Sequence, residues 1–432
     1  MQGMLNRISN TIFSSGRKSL ASDGETLTSV RRHQPDHWLL IECLILLAIG
    51  LALIYSISPA LADTTGVSGS YYIVRQVIAV ALALVAFFIT YKFPIAKWRA
   101  YYKWLLAAAA LCTLIAIVLP VNPNYPAHRW VRFAGFSFES VELLIFALLV
   151  WFAHFLAVRI KNGTITNFTK TIRPILGVLL IIAGIVAIIQ SDLGSTGVIV
   201  AMMGVMLFVA GIPLKRIMII AAVIVGLVII SVIAFPYRLA RIETFLHPTS
   251  NCQTTGYQAC QAMIAVGSGG ISGLGLGSGV QAYGYLPEAD NDSIFAIYAE
   301  KFGFIGSIIL LILFAGLFWR MAKISEGAPD DFSKLIVVGA LVWMSTETLI
   351  NIGAMIGLLP LKGITLPFIS YGGTSVVFFA ASLGLVYQVS CYTPRVSLKD
   401  LKRIRRRAAS DDYSSYGRRI RGAYHSDLGG RG

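Results

Sequence analysis

Residues 217–232 read IMIIAAVIVGLVIISV, an uncharged run that decides the fold. A helix rises about 1.5 Å per residue, so about twenty apolar residues cross a hydrocarbon core roughly 30 Å thick. The run does not alternate between apolar and polar residues, as a strand of an outer-membrane barrel would. It therefore predicts a membrane-spanning helix.

Apolar runs of similar length recur along the whole chain. The ten candidate helices cover 38–59, 72–91, 103–120, 138–158, 173–190, 194–212, 215–236, 293–319, 335–356 and 366–392. The composition agrees, since 56% of the 432 residues are hydrophobic and 13% are charged, against roughly 25% charged in an ordinary soluble domain. We expect an all-α fold, a polytopic helical membrane protein with about ten transmembrane helices, and exclude a soluble enzyme.

Polar segments flank the membrane domain, which we place at residues 37–393. Residues 1–36 contain no hydrophobic signal region, so we expect a disordered tail there and not a signal peptide. Residues 394–432 form a basic tail, which is typical of a cytoplasmic segment facing anionic membrane lipids. No nucleic-acid module accompanies the formal charge of +15, so we expect no nucleic-acid partner.

Charged loops predict the orientation. Ten spans put both termini on one side, and the loops of that side hold most of the remaining Lys and Arg, so both termini are predicted to be cytoplasmic. The large loop 237–292, between helices 7 and 8, is then extracytoplasmic. Several cations on the outer side break the rule and need a reason: Arg129, Arg132, Arg238, Arg241 and Lys362.

The outer loop is dense in glycine from Gly267 to Gly279. Glycine permits positive φ and close backbone approach, which suits a compact re-entrant loop or a surface for phosphate or sugar. A connector packed among helix ends is the alternative. Cys252 and Cys260 share this loop, and they either form a disulfide on an oxidising side or remain two free thiols.

Three carboxylates, Glu288, Asp290 and Asp292, directly precede an apolar run. They can serve as a helix cap that interacts favourably with the helix dipole. If instead the helix begins at Pro287, Glu288 and Asp292 share one face near the membrane boundary. Like charge and partial desolvation would then raise a carboxylate pKa, as a general base working near neutrality requires.

Ionisable residues at membrane depth are expensive in lipid and should face the interior of the bundle. They include Glu142, Asp192, Glu300 and Glu347, with Arg75 at an outer helix end. Glu347 and Asn351 lie four residues apart and predict a buried polar seam on one helix face. Hydrogen bonding between helices is the alternative role for all of them.

Motifs spread over residues 35–393 carry a family resemblance. They are Tyr55-Ser56-Ile57-Ser58, Arg75-Gln76, Arg129-Trp130, Gln190-Ser191-Asp192-Leu193-Gly194, Tyr257-Gln258, Leu286-Pro287-Glu288, Asn351-Ile352-Gly353 and Leu366-Pro367-Phe368-Ile369-Ser370. In this order they resemble the SEDS family (shape, elongation, division, sporulation). The segment from Lys362 to Pro367 is closer to the cell-division members than to the elongation members.

This resemblance implies a peptidoglycan glycosyltransferase that polymerises lipid II, a disaccharide-pentapeptide on undecaprenyl diphosphate, at the outer face of the bacterial cytoplasmic (inner) membrane. It implies Asp292 as the general base of an inverting reaction. Arg129, Lys362 and Arg75 would bind the diphosphate. The remaining candidate substrate contacts are Glu288, Ser370 and Gln258.

The same resemblance implies the cofactor and the partners. Asp292 with Glu288 or Asp290 could bind Mg²⁺ or Mn²⁺ through hard oxygen ligands, and no organic cofactor is expected. The expected partners are lipid II, the growing glycan strand, a class B penicillin-binding protein that cross-links the strand, and division-complex proteins. The expected location is the division septum.

Two motifs depart from the family pattern. Asp290-Asn291-Asp292-Ser293 stands where the family usually has His-Thr-Asp-Phe, which adds a carboxylate beside the expected base. Glu139-Ser140-Val141-Glu142 stands where it usually has Gln-Pro-Ser-Glu, which removes a proline before a helix.

A lipid II flippase is the first alternative function, although it needs no base on the outer side. A division scaffold that recruits a transpeptidase, with residues 399–421 as docking segment, is the second.

Overall fold

In the computed structural model, which describes residues 30–32, 34–119, 130–133, 136–234, 236–247, 252–254 and 256–394, helices dominate. They are α1 (His37–Thr65), α2 (Tyr71–Lys92), α3 (Ile95–Val118), α4 (Ser140–Lys161), α5 (Arg173–Ile182), α6 (Leu193–Val209), α7 (Leu214–Ala234), α8 (Pro236–Leu246), α9 (Tyr257–Ser268), α10 (Ile294–Glu326), α11 (Asp331–Met355) and α12 (Gly373–Ser390). Short π-helical segments span Phe168–Ile172, Ala183–Ile189 and Gln281–Tyr285. The strands are β1 (Val30–Arg32), β2 (Trp130–Phe133), β3 (Phe136–Glu139) and β4 (Tyr392–Pro394).

Residues 31–393 form one compact unit. A second unit combines residues 1–30 with 394–432, and the structure describes only Val30 and Pro394 of it. The predicted disorder of the N-terminal tail and the lipid-binding role of the C-terminal tail therefore concern residues that lie largely outside the described ranges.

Nine helices in the described part of the chain are long and apolar enough to cross a membrane, and α6 is a shorter apolar helix. One of the nine is Phe168–Ile189, which consists of α5 and the π-helical segments on either side of it. Together they correspond one to one to the ten predicted runs, so the prediction of a polytopic helical membrane fold is confirmed. Their exposure differs widely. In the apolar window of α7 only 11% of the residues are buried, against 72% in α11 and 83% in α12. The bundle is therefore centred on α11 and α12, whereas α7 presents most of its surface to the surroundings.

Carboxylates start three of these helices by accepting bonds from backbone N–H groups that lack a partner within the helix. Asp36 accepts from the N–H groups of Trp38 and Leu39 at α1. Asp192 accepts from Ser195 at α6, and Asp330 accepts from Ser333 at α11. These polar residues therefore fix where each apolar run becomes helical.

Helices α2 and α12 pack most extensively, because small residues let their backbones approach closely. A Cβ on Gly384 of α12 would lie 2.6 Å from the carbonyl oxygen of Phe87 on α2. Around this contact the ring of Tyr387 packs against Phe87 and Tyr91, with centroids 5.4 and 5.1 Å apart. The resulting face holds the segment before α12 in place, and that segment lines the candidate site.

Helix α10 is broken near its outer end, where Gly303 has φ of +65° and non-helical geometry. The glycine-dense loop fits into this break. The N–H groups of Leu274 and Gly275 donate to the carbonyl oxygens of Glu300 and Lys301 at 3.0 and 2.9 Å. In return Phe304 donates to the carbonyl oxygen of Gly270 at 2.9 Å. The loop is thus compact and is bound to the helix through its backbone.

Two buried ionisable side chains of α10 also form hydrogen bonds with this loop. One carboxylate oxygen of Glu300, which is 1% exposed, accepts from the N–H groups of Val280 and Gln281 at 3.0 and 3.3 Å. The ammonium group of Lys301 donates to the carbonyl oxygen of Leu276 at 2.8 Å. The expectation that Glu300 faces the interior is confirmed, and its partner is backbone.

The conditional prediction that the helix starts at Pro287 is wrong. Residues 287–293 form turns, and α10 begins at Ile294. Glu288, with φ of +51°, and Asp292 consequently do not share a helix face. The reason is the backbone fold of this segment, in which the carbonyl oxygen of Glu288 accepts from both Asn291 and Ser293 at 3.1 and 3.0 Å.

Helix α4 begins at Ser140, the position at which the family usually has a proline. A hairpin that the sequence did not predict, with Trp130 opposite Glu139, leads directly into Ser140. The N–H of Glu139 donates to the hydroxyl of Thr374 at 3.2 Å, which ties the hairpin to the first turn of α12.

The two cysteines of the outer loop, Cys252 and Cys260, are joined in a disulfide.

Gly273→Ala should destabilise the protein. Gly273 has φ of +80°, and its new Cβ would lie 2.5 Å from the carbonyl carbon of Lys301. Left-handed strain and the clash together should cost about 2 kcal/mol or more. The measurement is thermal unfolding of the purified protein in detergent. Gly277→Ala is the matched control in the same loop, since its Cβ meets nothing within 4 Å; equal midpoints for the two variants would contradict the prediction.

Candidate functional site

Asp292 lies in the turn that precedes α10, facing the first turn of α9. The amide nitrogen of Gln258 donates to Asp292 Oδ1 at 3.3 Å and to the hydroxyl of Ser293 at 3.1 Å. The Ser293 hydroxyl in turn donates to the same carboxylate oxygen at 3.4 Å. Asp292 is half-buried and Ser293 is fully buried. Two neutral donors thus orient one oxygen of a partly accessible carboxylate.

The backbone beneath Asp292 is fixed by side chains from the centre of the bundle. Asn351 of α11 donates to the carbonyl oxygens of Asp292 and Ile364 at 2.8 and 2.7 Å. The hydroxyl of Ser370 donates to the carbonyl oxygen of Asn291 and accepts from Leu366 N–H, both at 2.7 Å. Ser370, a predicted substrate contact, is 1% exposed and is used in this way to hold the backbone.

The neighbouring Asp290 is the carboxyl whose titration is perturbed. Burial raises the pKa of Asp290 to about 6, with a smaller contribution from the charge of Glu288. Its carbonyl oxygen accepts from Tyr371 N–H at 2.7 Å, which holds the residue against the segment before α12. Burial and like charge therefore both act on Asp290 in this cluster.

A metal site built from protein ligands alone does not fit the described carboxylates. Within the described ranges no three His, Cys, Asp or Glu side chains converge as a metal site requires. Glu288 is exposed and accepts from the amide of Asn291 at 3.4 Å, while Asp292 is turned toward Gln258. The fold therefore does not gather Asp292, Glu288 and Asp290 into one three-ligand site. A cation held by Asp292 with one of the other two carboxylates stays a prediction, and no chemical step is assigned to a metal.

Arg75 lies beside this cluster. Its guanidinium carbon is 4.5 Å from the centre of the Tyr71 ring, and it donates a hydrogen bond to the side chain of Tyr371. Burial raises the pKa of Tyr371 to about 12, whereas the charge of Arg75 acts in the opposite direction and that of Asp290 adds to the rise. The cation, the phenol and Asp290 therefore form one interacting group at the outer end of α2.

Lys362 belongs to a second group of cations. Its pKa is lowered from the ordinary value, first by burial and then by the charges of Arg241 and Arg238, while Asp192 opposes the shift. Arg238 is buried and donates to the hydroxyl of Ser231 and to the carbonyl oxygen of Ala187. Arg241 is exposed. The fold thus concentrates positive charge around Lys362.

Neither Arg238 nor Arg241 was among the predicted site residues. The available signal was their position on the outer side, where Lys and Arg are expected to be rare. Lys362 stands two residues before Ile364, whose carbonyl oxygen shares the Asn351 amide with that of Asp292. One chain segment therefore connects the cations to the carboxylate. Arg129 lies outside the described residues.

The predicted polar seam runs into the bundle from this site. Glu347, one turn before Asn351, accepts from the indole N–H of Trp343 at 2.6 Å. Glu142 of α4 is close enough to Glu347 and Asp192 for their charges to interact. Glu142 and Glu347 are 7% and 3% exposed, and within the described ranges each keeps a buried oxygen without a hydrogen bond. The acids face the interior, as predicted.

A cavity of about 430 Å³ lies far from these residues. It is at the opposite end of α1, between Asp36, His37, Arg320 and Lys323. Arg320 donates to Asp36 there at 2.7 Å. Because α1 has 29 residues and spans about 43 Å, this cavity does not belong to the Asp292 site.

The fold and the site define a multi-pass membrane protein with a carboxylate and grouped cations at one end of a helical bundle. The chain belongs to the FtsW–RodA–SpoVE family, whose members are described as cell cycle proteins and whose model matches residues 37–395.

Two curated relatives match most of the chain. It is 34% identical over 366 residues to the stage V sporulation protein E of Bacillus subtilis, covering 84% of this chain and 99% of that protein. It is 33% identical over 363 residues to the probable peptidoglycan glycosyltransferase FtsW of Coxiella burnetii, covering 83% of this chain and 96% of that one.

Solved structures share the fold. A chain of a peptidoglycan synthase complex that coordinates polymerization and crosslinking superposes with a TM-score of 0.67 at 23% identity, covering 82% of this chain and 97% of that one. The rod shape determining protein RodA of Thermus thermophilus gives 0.61 at 22% identity, covering 82% and 96%.

Asp290→Asn should stabilise the protein at pH 7.5 and change its stability little at pH 4. Because the folded-state pKa of Asp290 is raised to about 6, the folded state resists ionisation of this carboxyl. The resulting loss of folding stability is absent at low pH, where the carboxyl is protonated in both states. It grows as the pH rises from the ordinary pKa of 3.8 to about 6, and above that it stays constant. Thermal unfolding midpoints of variant and wild type at the two pH values test this; a difference that is the same at both would contradict it.

Proposed function

We propose that this protein is a peptidoglycan glycosyltransferase that polymerises lipid II into glycan strands at the outer face of the bacterial inner membrane. The observation that carries the proposal is the oriented, half-buried carboxylate of Asp292 at the outer end of the bundle, on the same framework as Lys362. Curated relatives named as probable peptidoglycan glycosyltransferases match over four fifths of the chain, which supports it.

In the proposed reaction Asp292 acts as the general base. It accepts the proton of the 4-hydroxyl of the acceptor N-acetylglucosamine as that oxygen attacks the anomeric carbon of the donor. The bond from this carbon to the diphosphate oxygen breaks, so the configuration inverts. Gln258 and Ser293 donate to one carboxylate oxygen and limit its rotation, which favours a productive geometry.

The leaving diphosphate is proposed to bind the cations around Lys362. The lowered pKa of Lys362 reports its desolvation and repulsion from Arg241 and Arg238. An anion placed among these groups relieves that repulsion, so the cluster suits a group that carries more than one negative charge. Each charge-assisted contact could contribute about 1.5–3 kcal/mol. Arg75, beside Asp290, is proposed as a second contact with the substrate, and Glu288 as an exposed contact with the sugar.

A divalent cation enters the proposal only as one carried by the substrate. Mg²⁺ is commonly held by one or two carboxylates together with substrate phosphates, so Asp292 alone could serve as protein ligand. Mg²⁺ or Mn²⁺ would there neutralise charge on the diphosphate. The one proton transfer proposed above, from the acceptor hydroxyl, is made to Asp292 of this chain.

The proposed partner is a class B penicillin-binding protein that cross-links the new strand. A solved structure with this fold comes from a complex that coordinates polymerization and crosslinking, which supports a transpeptidase partner. Many of the matching relatives carry the name FtsW, so we propose the division septum and its protein complex as the site of action. A lipid II flippase would share the cations but has no need of an oriented outer carboxylate.

Asp292→Asn should abolish polymerisation of labelled lipid II. The substitution keeps the shape of the side chain and removes its basicity, and loss of a general base lowers rates by about 10²- to 10⁴-fold. Gel analysis of the polymer measures the effect, and unchanged thermal unfolding shows that the variant folds. Asp63→Asn, at the exposed end of α1, is the control and should retain activity. Retained activity in Asp292→Asn would eliminate it as the base.

Lys362→Ala and Arg241→Ala should each lower kcat/KM for lipid II. Loss of one contact of about 1.5–3 kcal/mol corresponds to roughly 10- to 100-fold. Steady-state kinetics with lipid II concentration varied measure this. Lys161→Ala, at the other end of the bundle, is the matched control for charge removal. Unchanged kinetics for both variants would remove the cation cluster from the diphosphate site.

A further inference from the structure

The disulfide of the outer loop lies directly beside the candidate base. Cys252 and Cys260 are bonded, with their Cα atoms 5.6 Å apart and a separation of 8 in sequence. Cys260 lies in the first turn of α9, where its N–H donates to the carbonyl oxygen of Gly256 at 3.0 Å. Gln258, which donates to Asp292, is in the same turn. The bridge therefore holds the short segment that carries Gln258.

This turn needs such a restraint more than the rest of α9 does. The later residues Ala262 and Ala265 are almost completely buried, so the body of the helix is held by packing. In the first turn Tyr257, Gln258 and Ala259 are only half-buried, and the buried residue is the bridged Cys260. At its start, Gly256 provides no side-chain cap to the first N–H groups. Uncapped first turns fray, because their N–H groups have no partner within the helix. Fraying of this turn would remove the amide of Gln258 from Asp292.

A bridge across eight residues closes a short loop, so it restricts local freedom more than it stabilises the whole chain. It joins two residues of one segment and links no two membrane-spanning helices. Opening the bridge should consequently loosen the start of α9 and leave the remaining fold in place.

We propose that the Cys252–Cys260 disulfide is a redox-sensitive positioning element for Asp292 that acts through Gln258. With the bridge closed, the Gln258 amide orients the carboxylate; with the bridge open, this contact is lost and the reaction slows. A dithiol reductant supplies two electrons and two protons, the S–S bond is replaced by two thiols, and the reductant leaves as its own disulfide. The inference rests on the proposed function, because it assigns the rate effect to Asp292.

Polymerisation kinetics before and after treatment with a dithiol test the proposal. Mass analysis after alkylation shows that the bridge has opened. In the wild type, reduction should lower kcat by about tenfold, the effect of losing one hydrogen bond to a charged group, while KM for lipid II stays within about twofold. Cys252→Ser with Cys260→Ser should reproduce this loss without the reductant.

Gln258→Ala separates positioning from a general structural role. Its kcat should also fall by about tenfold, and reduction should then have no further effect, because both changes remove the same contact. Cys112→Ser, which removes one of the free cysteines, is the control and should respond to reduction as the wild type does. The proposal is overturned if reduction slows Gln258→Ala as much as it slows the wild type. It is also overturned if the wild type keeps its full kcat although mass analysis shows that the bridge has opened.

Hydrogen exchange gives a result that does not depend on activity. The amides of residues 257–260 should exchange faster in the reduced protein, whereas those of α11 and α12 should not change. Unchanged exchange at 257–260 would overturn the positioning role even if the wild type polymerises lipid II. If the wild type shows no polymerisation, the proposed function fails, and exchange still decides whether the bridge holds the start of α9.

Discussion

Backbone hydrogen bonding around the break in α10 is the constraint on which the outer half of the molecule depends. Inside a bundle that excludes water, unpaired N–H and carbonyl groups are costly, so a helix can be interrupted only where another segment satisfies them. The glycine-dense loop does this for Glu300, Lys301 and Phe304. It also supplies hydrogen-bond partners for one carboxylate oxygen of Glu300 and for the ammonium group of Lys301. The same loop continues into the turn that carries Asp292, so the break and the site form one structural unit.

A second set of bonds joins that unit to the centre of the bundle. Asn351 contacts the backbone of both Asp292 and Ile364, and Ser370 bonds to the backbone of Asn291. The segment before α12 thus carries Lys362 at one end and the support for Asp292 at the other. Acid and cations come from distant parts of the sequence, yet their relative positions are fixed by a few buried amides and hydroxyls.

Hydropathy predicts the ten helices because the length and composition of an apolar run are local properties of the sequence. The turn at 287–293 was not predicted, since it depends on the positive φ of Glu288 and on bonds from α11 and the segment before α12. The grouping of Arg238 and Arg241 with Lys362 was missed for the same reason, because three separate segments meet there. From the sequence, Cys252 and Cys260 could form a disulfide or remain two free thiols. Only their proximity in the fold decides between the two. The catalytic role of Asp292 rests on family resemblance and stays a prediction.

Helix α6 has seventeen residues and spans about 25 Å, roughly one helical turn less than the hydrocarbon core. Its outer end is closed by Asp192, and the backbone of Lys362 lies against Gly194. The position of the missing turn is therefore taken by polar groups of the protein itself. A helix too short to cross the hydrocarbon core thus leaves room for Asp192 and for the segment that carries Lys362.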